Sequence, residues 1–213
     1  MKHGKHGHGR YGNPADLDRM VARQEDPGRV TWQKPASVVR VLALRHGQVA
    51  ADIGAGPGYF TKRLARAVGT SGHVYAVDAE PAILDVLRER VKAARLTNVT
   101  PVLGRGEDPC LPPSCCDLAL IVDTYHHFAD GPAFLRRVAR ALRPGGRLVN
   151  IDFAKRETPV GPPVEHRVSR EDFVRDARRA GLVVVGEHQF LPYQYFLVLR
   201  RGRARRGRRA RSR

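Results

Sequence analysis

Residues 48–65 read QVAADIGAGPGYFTKRLA, and the fold turns on them. Gln48 to Ile53 is a short, mostly apolar run of the kind buried as a strand. Gly54-Ala55-Gly56-Pro57-Gly58 interrupts it, and Phe60, Leu64, Ala65 and Val68 then recur at helical spacing. Strand, glycine turn and helix in direct succession open a βα unit. Glycines in such a turn permit unusual dihedrals and a ligand's close approach, and the turn gathers backbone N–H groups at a helix N-terminus.

Working outward, the alternation repeats. Gly69 and Gly72 bracket the turn into a second strand, His73–Val77, which Asp78 ends. Pro81 starts a helix with Ile83, Leu84, Leu87 and Val91 on one side. Val99–Leu103 is a third strand. Asp117–Val122 is a fourth, apolar on both faces as an interior parallel strand requires. From Pro132, a helix turns Phe134, Leu135, Val138 and Leu142 inward, and Pro144-Gly145-Gly146 leads into the strand Arg147–Phe153. After a Pro-rich loop at 159–163, Ser169 caps a helix with Asp172 three positions on. Phe173, Val174, Ala177 and Ala180 form its apolar side, and Gly181 ends it. Leu182–His188 and Tyr195–Arg200 read as a closing hairpin, an antiparallel edge on an otherwise parallel sheet. Ahead of the first strand, Asn13 and Pro14 begin a helix bearing Leu17, Met20 and Val21. Residues 25–30 break it, and a second helix covers about Ala36 to Leu44. The expected fold class is α/β, a doubly wound Rossmann-like sheet.

The chain has 213 residues, about one domain's worth. No stretch resembles a 20-residue membrane span. The opening MKHGKHGHGRYG is basic without an apolar run, so it does not read as a secretory signal, and a cytoplasmic location is expected. Formal net charge is +17, of which RRGRARRGRRARSR at 200–213 supplies +9, leaving +8 for the rest. The expected organisation is a flexible Gly/His leader at 1–12, a helical lead-in at 13–34, one domain at 35–200, and a disordered arginine tail at 201–213. The tail reads either as a nonspecific contact for nucleic acid or another anionic surface, or as a solubilising basic terminus. His3, His6 and His8 belong to the leader. The odd cysteine count, Cys110, Cys115 and Cys116, suggests no disulfide framework, and no metal site is assigned.

Two carboxylates flank the glycine turn. Asp52 precedes it, and Asp78 lies 24 residues beyond Gly54 at the end of the next strand. A carboxylate at position 78 can accept both hydroxyls of a ribose. The glycine spacing is G-x-G-x-G with Tyr59 next, not the G-x-G-x-x-G of nicotinamide dinucleotide sites. Asp52 would oppose a pyrophosphate and welcome a cationic amine. This charge argument favours a sulfonium nucleoside carrying an α-amine.

ADIGAGPGYFTKRLA (51–65) resembles motif I of the class I S-adenosylmethionine-dependent methyltransferases. VYAVDAEP, GRGED, DLALIVDTYHHFAD and LRPGGRLVNIDF resemble the later motifs in order. The likeness runs over about residues 32–200 and is greatest to ubiquinone/menaquinone-biosynthesis-like and small-molecule enzymes. RVTWQKP at 29–35 resembles a lead-in of some members. The resemblance implies a seven-stranded sheet, mostly parallel with one antiparallel strand near the C-terminus. It implies that the cofactor is S-adenosyl-L-methionine, with S-adenosyl-L-homocysteine as product. Asp52 and the Gly54, Ala55, Gly56 and Gly58 loop would hold the methionyl end. Asp78 would hold the ribose, with Ala79 beside the adenine and Glu107 or Asp108 near its amino group. Asp123 would face the methionyl amine or the acceptor.

Transfer from an activated donor needs alignment and exclusion of water, and some acceptors need a base. His126 and His127 follow the fourth strand and are the candidate bases, unless they serve packing or capping. Trp32, Tyr59 and Tyr125 are candidates to line the cleft. The expected acceptor is a small molecule. Residues 123–126 read Asp-Thr-Tyr-His, not the [D/N/S]-P-P-[Y/F/W] signature of enzymes that methylate base amino groups. RNA methylation aided by the basic tail is the rival reading, and a nonenzymatic adaptor that keeps the fold is the third.

Overall fold

A computed structural model describes residues 14–202. The leader histidines, the Asn13 cap and residues 203–213 lie outside the described residues. Two helices, α1 (Pro14–Gln24) and α2 (Arg29–Gln33), precede α3 (Pro35–Leu42). The alternation then runs β1 (Val49–Ile53), α4 (Thr61–Val68), β2 (His73–Asp78), α5 (Pro81–Ala93), β3 (Val99–Leu103), β4 (Cys116–Val122), α6 (Gly131–Ala141), β5 (Leu142–Phe153), α7 (Arg170–Arg179), β6 (Leu182–His188) and β7 (Gln194–Arg201).

The seven strands form one sheet in the order β3-β2-β1-β4-β5-β7-β6. β7 is antiparallel to both β5 and β6, and the other pairings are parallel. One antiparallel strand is therefore present, but it is not the edge. β7 inserts between β5 and β6, and the hairpin partner β6 becomes the outer strand. The burial pattern gives the reason. Phe196, Leu197 and Leu199 of β7 are sealed from solvent, whereas β6 leaves Val183 and Val185 exposed. The more apolar strand takes the two-sided position.

Both faces of the sheet are covered. On β4, Ala119 and Ile121 point to a core shared with Phe134, Leu135 and Val138 of α6 and Phe173 and Ala177 of α7. Leu118, Leu120 and Val122 point the other way, to Val38 and Leu42 of α3 and Leu64 and Val68 of α4. Leu87 and Val91 of α5 pack with Ala76 of β2.

Other local readings are refined. Residues 29–33, expected in part as a break, form the short helix α2, closed by Lys34 at φ 44°. Leu142 leaves the helix and starts β5, pairing with Cys116. Pairing resumes at Leu118 with Arg147, so the Pro144-Gly145-Gly146 turn bulges out within the strand. Ser169 caps α7 as its sequence suggests, its hydroxyl accepting from the Asp172 N–H at 3.1 Å.

The strand order reverses between β1 and β4. A crevice opens at such a switch point, outside the carboxyl ends of the strands. Residues 52–58 and 123–127 therefore face one another across it.

Leu118 is fully buried in the middle of the sheet, and Val185 is exposed on the outer strand. Leu118→Ala is expected to destabilise the fold by about 2–5 kcal/mol in urea melts. Val185→Ala is expected to stay within about 0.5 kcal/mol.

Candidate functional site

The glycine turn is held by the strands beside it. Gly54 and Gly56 have φ of 72° and 54°, a region L residues rarely adopt. A Cβ on Gly54 would lie 2.2 Å from the Thr124 hydroxyl, and one on Gly56 would lie 2.1 Å from the Gln24 Oε1. The turn therefore packs against the end of β4 on one side and the end of α1 on the other. Its N–H groups are already engaged. Those of Gly54 and Ala55 donate to the Val77 carbonyl, that of Gly56 to Asp78 Oδ2 at 2.9 Å, and that of Gly58 to the Ala55 carbonyl. The anion-accepting nest that glycines suggest does not form from these four groups.

Two cavities meet above the turn. One, of about 390 Å³, is lined by Gly56, Asp78, Ala79, Ile83, Gly104 and Asp108. The other, of about 410 Å³, is lined by Arg29, Trp32, Asp52, Ala55, Tyr59, Phe60, His126 and Phe153, with Gly161 and Pro162 also on its wall. Gln24, Gly54, Asp123, Thr124 and His127 line both. Most of the candidate site residues are thus brought together. Gly58 is not, because its open side faces Leu87. Of the two loop acids, Asp108 lines the first cavity and Glu107 lines neither. Tyr125 is a correction. It is buried in the core, edge-on to Phe173 at 4.7 Å, with its hydroxyl on Asp176. Trp32 and Tyr59 do line the second cavity.

Buried charge dominates the site. Asp52 is almost fully buried, and the Thr61 hydroxyl donates to its Oδ2 at 2.6 Å. Burial pushes its carboxyl from 3.8 up to about 6, against the pull of the Thr61 bond. Asp78 is also pushed up by burial, although the Gly56 and Glu80 N–H groups stabilise its anion. Asp123, at φ 51° in the left-handed region, is raised to about 7 by burial and then by Asp152. Asp123 accepts from Gln194 Nε2 and lies 3.8 Å from the Arg29 guanidinium.

A one-turn 3-10 helix, Tyr125–His127, follows β4 and presents both histidines. His126 Nδ1 lies 3.3 Å from each oxygen of Asp152, whose carboxylate is wholly buried on β5. Burial alone would lower the His126 value. The Asp152 hydrogen bond and the charges of Asp152 and Asp123 outweigh it, and the net shift is upward. The His127 ring lies 4.1 Å from that of His126, centroid to centroid.

Several of these groups were not singled out from the sequence. Arg29 lies 4.1 Å from the Tyr59 ring centroid and is anchored on the Gln24 carbonyl. Buried Gln33 donates to Gln194 Oε1 at 2.7 Å, and Gln194 in turn donates to Asp123. Arg167 holds the roof of the second cavity by donating to the carbonyls of Ala154, Arg156 and Pro162. Asp152 sits in an apolar strand, Asn-Ile-Asp-Phe. Its position one place before the strand's end, like Asp52 in Asp-Ile-Gly, was the available signal.

Residues 50–146 match the family described as a methyltransferase domain. The chain is 33% identical over 121 residues to the ubiquinone/menaquinone biosynthesis C-methyltransferase UbiE of Vibrio vulnificus, covering 56% of this chain and 45% of that one. It is 34% identical over 131 residues to a demethylmenaquinone methyltransferase of Tropheryma whipplei, covering 62% and 52%. The chain thus spans about half the length of these curated relatives. Among solved structures, a SAM-dependent methyltransferase from Aquifex aeolicus superposes with a TM-score of 0.81 at 26% identity, over 88% of this chain and 97% of that one. The chain is thus similar, over residues 50–146 and across its fold, to S-adenosylmethionine-dependent methyltransferases.

A carboxyl whose folded value is raised gives its full stabilising contribution below its unfolded value and loses it as pH rises through the folded value. For Asp52 that loss falls between about pH 4 and pH 6–7 and is worth up to about 3 kcal/mol. Asp52→Asn is therefore expected to unfold at higher urea than the parent at about pH 8, with the difference gone at about pH 4. Equal midpoints at both pH values would show that Asp52 is not a buried anion.

Proposed function

We propose that this chain transfers a methyl group from S-adenosyl-L-methionine to a small-molecule acceptor held in the aromatic cavity, releasing S-adenosyl-L-homocysteine. The observation that carries the reading is the junction of two cavities at Gly54, Asp123, Thr124 and His127. One cavity offers Asp78 to hydroxyl donors. The other offers aromatic walls and a base.

The residues fit a sulfonium nucleoside. Asp52 and Asp123 are anions short of positive charge, and a bound α-amine would lower both values again. The engaged N–H groups of the glycine turn disfavour a pyrophosphate. Asp78 keeps lone-pair capacity for ribose hydroxyls beyond the backbone N–H groups it accepts. Ala79 and Ile83 supply an apolar surface for the base, and Asp108 is the better placed of the two loop acids to meet an adenine amino group.

The bound donor supplies a methyl group already activated on a positively charged sulfur. The protein's work is alignment, exclusion of water and removal of a proton. Trp32, Tyr59, Phe60 and Phe153 line the acceptor cavity, with Trp32 and Phe153 at 5.4 Å between centroids. Arg29 spans from Tyr59 to Asp123 and ties the lead-in helices to the junction. Asp152 accepts from His126 Nδ1–H, which leaves Nε2 as the basic nitrogen for the acceptor's proton. In this reading Asp152 is a positioning residue. His127 contributes to the wall between the two ligands.

Isothermal titration of the full chain should show S-adenosyl-L-methionine and S-adenosyl-L-homocysteine binding at one site. Asp78→Ala is expected to weaken both by about 10-fold to 100-fold, the worth of hydrogen bonds to a charged group. Unchanged affinity would remove Asp78 from the ribose contact.

Asp152→Asn is expected to lower the His126 value in an NMR titration of the ligand-free protein. It should also move the acidic limb of kcat/KM to lower pH and reduce the plateau at least about tenfold. An unmoved His126 titration, or full turnover in both His126→Ala and His127→Ala, would overturn the base assignment.

A further inference from the structure

Two buried glutamines, one from the lead-in and one from the last strand, join Arg29 to Asp123. Gln33 closes α2 and is sealed from solvent, and Gln194 opens β7 and is almost as deeply buried. Arg29 Nε donates to Gln33 Oε1 at 3.2 Å. Gln33 Nε2 donates to Gln194 Oε1 at 2.7 Å, and Gln194 Nε2 donates to Asp123 Oδ1. The other Asp123 oxygen lies 3.8 Å from the Arg29 guanidinium, beyond hydrogen-bond reach. Gln194 therefore supplies the only side-chain hydrogen bond to Asp123 among the described residues.

The direction of these bonds is set at the arginine end. An arginine Nε–H can only donate, so Gln33 must turn its oxygen to Arg29 and its NH2 to Gln194. Gln194 must then offer its oxygen to Gln33 and its NH2 to Asp123. A proton on Asp123 Oδ1 would set two donors against each other. On Oδ2 it would face the positive charge of Arg29. Other neighbours pull both ways. Burial and the Asp152 carboxylate of β5 favour a protonated Asp123, while Arg29 of α2 and His126 of the 3-10 turn favour the anion. Tyr195 of β7 also senses its charge. If Gln194 could rotate, its oxygen would accept from a protonated Asp123. Gln33 blocks that rotation.

We propose that Gln33 and Gln194 are positioning residues, a hydrogen-bond relay that holds Asp123 as the anion that receives the donor's α-amine. Neither amide lines either cavity, so both act through Asp123 rather than on a ligand. Buried amides are unfavourable unless every bond finds a partner, and apolar side chains would fill the same space at less cost. Here each bond fixes the direction of the next, which apolar packing cannot do. The relay also makes the lead-in part of the donor site through a residue that touches no ligand. The proposal rests on the reading of Asp123 as a partner of the amine, given above.

The test is isothermal titration of the full chain with S-adenosyl-L-homocysteine at about pH 6 and about pH 8.5. The control ligand is methylthioadenosine, which lacks the amino-acid end. Gln33→Met keeps the side chain's length and removes both bonds. Gln194 is then free to accept from a protonated Asp123, which raises the proton affinity of Asp123 about tenfold, the worth of one hydrogen bond. A protonated Asp123 holds no ammonium, so the loss grows as pH falls. The variant should bind S-adenosyl-L-homocysteine about tenfold more weakly than the parent at about pH 6, and within about twofold of it at about pH 8.5. Methylthioadenosine should bind both equally. In a Gln194→Met background the same substitution should cost less than about twofold at either pH, because the middle link is already gone. An equal loss in both backgrounds, a loss that does not vary with pH, or no loss would overturn the relay and leave the donor site standing. Should Gln33→Met fail to fold, Gln33→Glu takes its place. Ionised beside Arg29, it can only accept, and the same loss at low pH is expected and the same results would overturn the relay. A parent that binds S-adenosyl-L-homocysteine no tighter than methylthioadenosine would overturn the reading of Asp123 itself, and the relay with it.

Discussion

Two carboxylates, Asp52 and Asp152, are held out of water at the carboxyl ends of β1 and β5, and a third, the partly exposed Asp123, follows β4. Arg29 and His126 face them. Burying anions with too little compensating charge is unfavourable, and the upward shifts at Asp52 and Asp123 express that cost. A fold tolerates such a concentration when a ligand relieves it. On the proposed reading the site is a receptor for positive charge built into the switch point of a doubly wound sheet.

The lead-in helices complete this receptor. Gln24 closes on Gly56, Arg29 bridges Tyr59 and Asp123, and Gln33 reaches Asp123 through Gln194 of β7. Elements from the two ends of the chain thus meet over β4. The two cavities share a wall to which the lead-in contributes Gln24.

Charge is sorted along the strand axis. Carboxylates collect where helices begin and strands end, and arginines collect where helices end and strands begin. Aligned helix dipoles favour this sorting. The antiparallel placement of β7 brings exposed Arg200 and Arg201 to the basic end.

The sequence by itself determined the elements and the glycine turn. The βα alternation, the Ser169 cap and the placement of Asp52 and Asp78 at strand ends were legible because each depends on local periodicity or on a residue's preference at a terminus. The short α2 helix was not, because Pro27-Gly28 reads locally as a break and the helix is held by the packing of Arg29 and Trp32. Tyr125 was misplaced because a 3-10 turn rotates it into the core while presenting its two neighbours to the cavity. Only the tertiary structure decided that Asp152 sits against His126, that Asp108 and not Glu107 lines the cavity beside Asp78, and that β7 lies inside the sheet. Those facts depend on residues far apart in the chain meeting across strands. Pairing at that range is set by burial summed over the whole sheet, and no local window of sequence contains it.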